Sequence, residues 1–222
     1  MVAIALAVLF LFPGFSLGQT AKRVVIIDAA HGGKDRGVQI SDKISEKDIT
    51  LNLARMLQKE LGQGSGLSCV LTRDSDRDLS DAERIDKVAA QNPVAVISLH
   101  VNAGFGKASR GFEVYFAGFQ KEKIGKNEGA GAIINDMQQT KHLNDSVRLA
   151  RAIQDSMDAV FKKENRGLRE APMALFYGLS VPAVVVEVGF ATNSDNRKIL
   201  TSDKGQQAIV RALGKGIREG LP

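Results

Sequence analysis

Short, continuous apolar runs alternate along this chain with longer stretches whose apolar residues recur every three or four positions. The first run predicts a strand from about Val24 to Asp28, followed by a Gly-rich loop. From Glu46 to Leu61, Ile49, Leu53, Leu57 and Leu61 fall on one face, the signature of an amphipathic helix, with Ser45 as its N-cap. A second strand is expected at Ser68–Thr72. A helix from Asp81 to Gln91 follows, capped by Ser80 with Glu83 three residues on, as in a capping box. Val94–His100 and Gly111–Phe116 read as further strands. Residues 117–142 break the pattern: they are polar, Gly-containing and weakly periodic, with a short helical stretch around Ile133 to Gln138, and are read as an insertion. Beyond them the pattern predicts a helix over Asp145–Phe161, a short strand at Ala174–Tyr177, a long strand after Pro182, and a final helix over Asp203–Glu219.

This alternation argues for an α/β fold: a single domain with a mostly parallel twisted sheet of about six strands and helices on both faces. The domain is expected over 22–222, with no internal repeat and no linker. A chain of 222 residues that is 44% hydrophobic can bury a full core. Its net charge of +5 comes from basic residues scattered among acidic ones. No basic run with interleaved aromatics is present, so nucleic acid is not an expected partner. The protein is expected to be a monomer. Cys69 is the only cysteine and sits in a strand-like segment, where a small buried residue is the ordinary reading.

Residues 1–18 read as a secretory signal. Val2–Phe12 is apolar but too short to span a bilayer comfortably, Pro13-Gly14 breaks it, and Ser16-Leu17-Gly18 places small residues for cleavage before Gln19. Export is therefore expected, to the periplasm or otherwise to the cell wall.

The candidate chemistry lies at strand ends. His31 follows the first strand and precedes Gly32-Gly33, which allow a tight backbone turn. His100 ends the Val94 strand, and Glu187 follows Ala183-Val184-Val185-Val186. In open α/β sheets, ligands bind at the carboxyl ends of strands. A catalytic zinc needs three protein ligands and one open position. His31 and His100 supply two, and the third should be a carboxylate or histidine on the same rim. Glu46 is the best candidate, although a glutamate in a first helical turn is also electrostatically ordinary. Glu187 suits a general base, since a carboxylate after four apolar residues is expensive to bury without a task or partner. The competing reading pairs it structurally with Arg73 or Arg84. His142, in the polar insertion, reads as a surface residue. A His-Glu-x-x-His helix, a complete phosphate loop and a Gly-x-Ser-x-Gly elbow are all missing from the sequence.

Five segments, in this order, resemble the zinc-dependent N-acetylmuramoyl-L-alanine amidases that cleave peptidoglycan. They are Ile27–Asp35, Glu46-Lys47-Asp48, Thr72-Arg73-Asp74 with Leu79–Arg84, Ser98–Ala103, and Pro182–Asn193. The resemblance runs from Val24 to about Leu221. It implies one Zn2+ per chain held by His31, Glu46 and His100, Glu187 as the catalytic glutamate, and a twisted sheet flanked by helices. Asn102, in the Ser98–Ala103 segment, becomes a candidate for binding substrate. The implied reaction is hydrolysis of the amide between the lactyl group of N-acetylmuramic acid and the L-alanine of the stem peptide, in cell-wall remodelling or daughter-cell separation.

Two departures stand out. Ala29-Ala30 replaces the Pro-Gly usual before the first histidine, which implies a small change in loop geometry. Some relatives carry a longer insertion that folds over the zinc until a partner displaces it. Residues 117–142 occupy that place, so Glu122 or Glu128 is a candidate regulatory residue and an activator protein a candidate partner; a cleft wall or surface loop is the competing reading. Two other functions fit less well. One is a non-catalytic peptidoglycan-binding module, which has no need of all four site residues. The other is a zinc peptidase acting on proteins.

Overall fold

Six strands and five helices follow one another in a computed structural model that describes residues 22–63, 66–118, 130–162, 164–171 and 180–222. The first half comprises β1 (Arg23–Ala29), α1 (Glu46–Gly62), β2 (Leu67–Leu71), α2 (Asp81–Ala89), β3 (Ala95–Asn102) and β4 (Phe112–Ala117). The second comprises α3 (Ala130–Met157), β5 (Asn165–Ala171), β6 (Ala183–Phe190), α4 (Ser194–Thr201) and α5 (Asp203–Gly220). The strands form one sheet in the order β2-β1-β3-β6-β4-β5. Every adjacent pair is parallel except β4 with β6.

Strand alternation sends odd and even residues to opposite faces. Val25, Ile27, Ala95, Ile97, Leu99, Val184, Val186, Phe112 and Val114 enter the larger apolar cluster, together with side chains of α1, α3, α4 and α5. Ile49, Leu53, Leu57 and Leu61 of α1 all lie at 3% exposure or less, as their spacing predicts. The other face carries a smaller cluster of Ile26, Val96, Ala183 and Val185, joined by Ile85 and Val88 of α2. Helices thus cover both faces, but unevenly.

Both predicted caps form. The Ser45 N–H donates to Asp48 Oδ2 at 2.8 Å, and the Ser80 N–H to Glu83 Oε2 at 2.7 Å. Three elements differ from expectation. The helix predicted from Asp145 begins at Ala130, so residues 130–142 of the expected insertion continue α3. Periodicity hid this because Ile134 and Met137, large apolar residues of this part of α3, are solvent-exposed and so mark no buried face. β5 was not predicted, because Asn165-Arg166-Gly167-Leu168-Arg169-Glu170-Ala171 is a polar edge strand. α4 is short and also escaped the pattern. The strand expected at Ala174–Tyr177 and the signal at 1–18 lie outside the described residues. No helix among the described residues is long and apolar enough to cross a membrane.

A buried ionic knot supports the end of β1. Asp28 accepts hydrogen bonds from Arg84 Nη1 at 2.5 Å, Thr72 Oγ1 at 2.7 Å and Ser98 Oγ at 2.6 Å. Arg84 also donates to the His31 carbonyl at 2.8 Å. Arg73, 1% exposed, donates to the carbonyls of Ala29, Ala30 and Lys47, tying the end of β1 to the first turn of α1. Removing one partner of a buried pair strands the other charge. Arg84→Ala is expected to lower stability by about 3–5 kcal/mol, read as a fall in the urea midpoint.

Candidate metal centre

His31, Glu46 and His100 are brought together by three different elements. His31 leaves β1 in a left-handed conformation, φ 61°. The turn after it closes through Gly32 N–H to Asp35 O at 2.8 Å and Asp35 N–H to Gly32 O at 3.1 Å. Glu46 is the first residue of α1 and is only 2% exposed. His100 lies on β3, on the sheet face that carries α2.

The donor atoms converge. Glu46 Oε1 lies 3.0 Å from His31 Nε2 and 3.1 Å from His100 Nδ1. One ligand atom from each residue falls within 4.8 Å of the others, and among the described residues this is the one such cluster. His31 Nδ1 sits 2.7 Å from Asp35 Oδ2, which orients the ring and leaves Nε2 for the cluster. Glu46 is fixed in turn: Oε1 accepts the Val101 N–H and Oε2 the Val38 N–H, both at 2.9 Å. A Cβ at Gly37 would lie 2.5 Å from Glu46 Oε2 and 2.7 Å from His31 Cδ2, so only glycine fits against the site there. Two imidazoles and one carboxylate, with both rings partly open to solvent, form a donor set that suits a divalent metal with a free position.

Burial by itself would raise the Glu46 carboxyl. Hydrogen bonds with His100 and His31, and with the Val38 and Val101 amides, instead bring it down to about 2. Bonding to Glu46 lifts His31 to about 9 against the opposing effect of burial. The site thus holds a fixed negative charge between two imidazole rings.

Glu187 is the register partner of His100 across β3–β6 and of Glu113 across β4–β6. Its Oε2 is buried with no hydrogen-bond partner among the described residues. Burial raises its carboxyl to about 7; His100 opposes the shift, while the charges of Glu46 and Glu113 add to it. Neither arginine proposed as its structural partner contacts it, since Arg84 pairs with Asp28 and Arg73 serves backbone carbonyls. Asn102 lies on the same face but away from the three donors, with its amide donating to Glu113 Oε2 at 2.7 Å. Glu122 and Glu128 fall outside the described residues. His142 is half-buried on α3 and takes no part in the cluster. Burial pushes the Cys69 thiol up to about 12, which removes it as a nucleophile at neutral pH.

Glu113 went unremarked in the sequence. It is 4% exposed and accepts from Asn102, Tyr115 and Arg166. Its signal was legible: in Phe112-Glu113-Val114-Tyr115-Phe116, strict alternation sets a carboxylate and a phenol on one face of an otherwise apolar strand.

The raised Glu187 carboxyl has a consequence for stability. As pH rises, the unfolded chain loses this proton near pH 4.5 and the folded protein near pH 7, so stability falls across that window. The cost above it is about 3 kcal/mol. Metal-free Glu187→Gln protein is expected to melt several degrees above the metal-free parent at pH 8, and close to it at pH 4. A thermal scan at the two pH values checks this.

The fold and the site can be set beside known proteins. The family model described as N-acetylmuramoyl-L-alanine amidase matches residues 25–219. The uncharacterized protein YqiI of Bacillus subtilis is 32% identical over 195 residues, covering 88% of this chain and 83% of its own. N-acetylmuramoyl-L-alanine amidase AmiC of Neisseria meningitidis is 23% identical over 90% of this chain, and the match spans 53% of AmiC. Among solved structures, the catalytic domain of the amidase CwlV from Bacillus (Paenibacillus) polymyxa var. colistinus superimposes with a TM-score of 0.70 at 26% identity. That match covers 88% of this chain and 96% of CwlV's. AmiC2 of Nostoc punctiforme gives 0.70 at 27%, over 88% and 95%. With the family model matched over nearly all the described fold, this chain belongs to the N-acetylmuramoyl-L-alanine amidase family.

Proposed function

We propose that this protein is a zinc amidase of peptidoglycan, hydrolysing the bond between the lactyl carbonyl of N-acetylmuramic acid and the nitrogen of L-alanine. The observation that carries this reading is the convergence of His31, Glu46 and His100 beside Glu187, a carboxylate whose Oε2 has no hydrogen-bond partner among the described residues.

The three donors are the residues that would hold zinc, and Asp35 fixes the tautomer of His31. The chemistry zinc supplies when bound there is polarisation of the scissile carbonyl and acidification of water. Proton traffic belongs to Glu187. Its ionised carboxylate takes a proton from the attacking water as the new carbon–oxygen bond forms. It then hands that proton to the amide nitrogen as the carbon–nitrogen bond breaks, releasing a muramic acid carboxyl and a free L-alanine amine. Its value near 7 suits both halves of this transfer at neutral pH.

Export to the periplasm belongs to the same reading, on the apolar run Val2–Phe12 and the small residues at Ser16-Leu17-Gly18. So does a gate: Glu122 or Glu128 closes on the metal until an activator protein draws the segment away.

Zinc-loaded protein is expected to release stem peptides with a free N-terminal L-alanine from purified peptidoglycan, identified by mass spectrometry. Chelation stops the release. Glu187→Gln lowers kcat about 10²- to 10⁴-fold while zinc stays bound. Release that survives both treatments would sink the mechanism. For the gate, replacing both Glu122 and Glu128 with Gln raises the rate of release from the same peptidoglycan, and an unchanged rate removes the gate.

A further inference from the structure

Arg166 and Arg169 sit on β5, an edge strand, three residues apart. Residues three apart on a regular strand face opposite sides. Here they face the same side, because β5 carries an extra residue. Phe112 pairs with Asn165 and Val114 with Leu168, so three steps on β5 span two on β4. Gly167 occupies this bulge at φ 90°, a conformation that favours glycine, and among the described residues no atom beyond its chain neighbours lies within 4 Å of where its Cβ would be. The glycine thus serves the bend rather than a tight contact. Bulges beside active sites commonly re-aim a side chain.

The re-aimed pair faces Glu113. Arg166 Nε lies 2.9 Å from Glu113 Oε1, and Arg169 Nη2 lies 3.5 Å from the same oxygen. Among the described residues no other carboxylate pairs with either guanidinium. Two positive charges therefore share one buried negative charge, and the longer contact leaves Arg169 only loosely compensated. Their side chains are 40% and 49% exposed. Arg166 is further steadied over the Phe190 ring, at 5.3 Å.

On this face the sheet lays out a row: His100 on β3, Glu187 on β6, Glu113 on β4, and the two arginines on β5. If Glu187 protonates the leaving nitrogen, the leaving peptide lies on its flank, and the strands beyond it are β4 and β5. Neighbouring strands are about 4.8 Å apart, and an extended peptide advances about 3.5 Å per residue. Two residues of stem therefore carry an α-carboxylate about 7 Å from the scissile bond, within reach of guanidiniums that extend back over β4.

We propose that Arg166 and Arg169 form a carboxylate subsite that selects stem peptides whose second residue bears a free α-carboxylate. The subsite rests on the amidase reading above. Glu113 is its positioning residue, holding Arg166 toward the cleft and leaving Arg169 free to make a charge-assisted bond.

The test uses zinc-loaded protein and two synthetic disaccharide-dipeptides that differ only at the second residue: one carries the free α-carboxylate, the other the carboxamide. The parent protein is expected to favour the carboxylate form by roughly ten- to hundredfold in kcat/KM. In Arg169→Gln that ratio falls toward one, chiefly through KM, while Arg169→Lys retains part of it. The ratio is internal to each variant, so partial loss of folded protein cancels. Equal rates for the parent on both substrates overturn the subsite and leave the amidase reading standing. A proportional loss on both substrates in Arg169→Gln assigns Arg169 a structural role and also overturns the subsite. Cleavage of neither dipeptide, with no release from intact peptidoglycan, overturns the amidase reading and the subsite together.

Discussion

A carboxylate at 2% exposure is costly unless its oxygens are fully engaged, and Glu46 meets that condition with two ring nitrogens and two backbone amides. Those four contacts come from the loop after β1, the end of β3 and the segment leading into α1. Settling Glu46 therefore sets three chain segments against one another. It also sets the separation of His31 and His100, because one oxygen serves both. Arg73 reinforces the arrangement from behind, joining β1 carbonyls to the first turn of α1. The left-handed His31 is tolerated because this surrounding structure over-determines it.

The two faces of the sheet divide the labour. One face is sealed by α1, α3, α4 and α5 and holds most of the apolar burial. The other has a small cluster under α2, which leaves the ends of β3, β6 and β4 room for His100, Asn102, Glu187, Glu113 and Tyr115. The antiparallel pairing of β4 with β6 places Glu113 directly beside Glu187, and the two like charges help keep the Glu187 carboxyl high. Tyr115 is raised to about 12 by burial and by its bond to Glu113, so it remains a donor that holds that carboxylate in place.

Much of this was legible in local pattern. The spacing of Ile49, Leu53, Leu57 and Leu61 located α1 and its buried face, and Ser45 and Ser80 marked helix starts. His31, His100 and Glu187 were visible as polar groups at the ends of apolar runs, and Glu46 as the first residue of the amphipathic pattern of α1. What escaped was polar and non-local. β5 has no apolar alternation, and its bulge depends on pairing with β4, about fifty residues earlier in the chain. Glu113 and Tyr115 share a face of β4 by local alternation, but the partners Asn102 and Arg166 become neighbours of Glu113 only once β3, β6, β4 and β5 are in register. The extent of α3 was missed because Ile134 and Met137, apolar residues near its start, are solvent-exposed.

By itself, the amino-acid order determined the α/β class and the position of the main strands and helices, and it singled out His31, Glu46, His100 and Glu187 as candidates for metal-assisted hydrolysis. Tertiary structure alone decided that one oxygen of Glu46 lies between two imidazoles, that Glu187 has neither arginine for a partner, and that Arg166 and Arg169 share a face. Periodicity and capping act over a few residues and can be read along the chain. Convergence of side chains and the pairing of buried charges depend on strand order and register, which arise only when distant segments pack against each other.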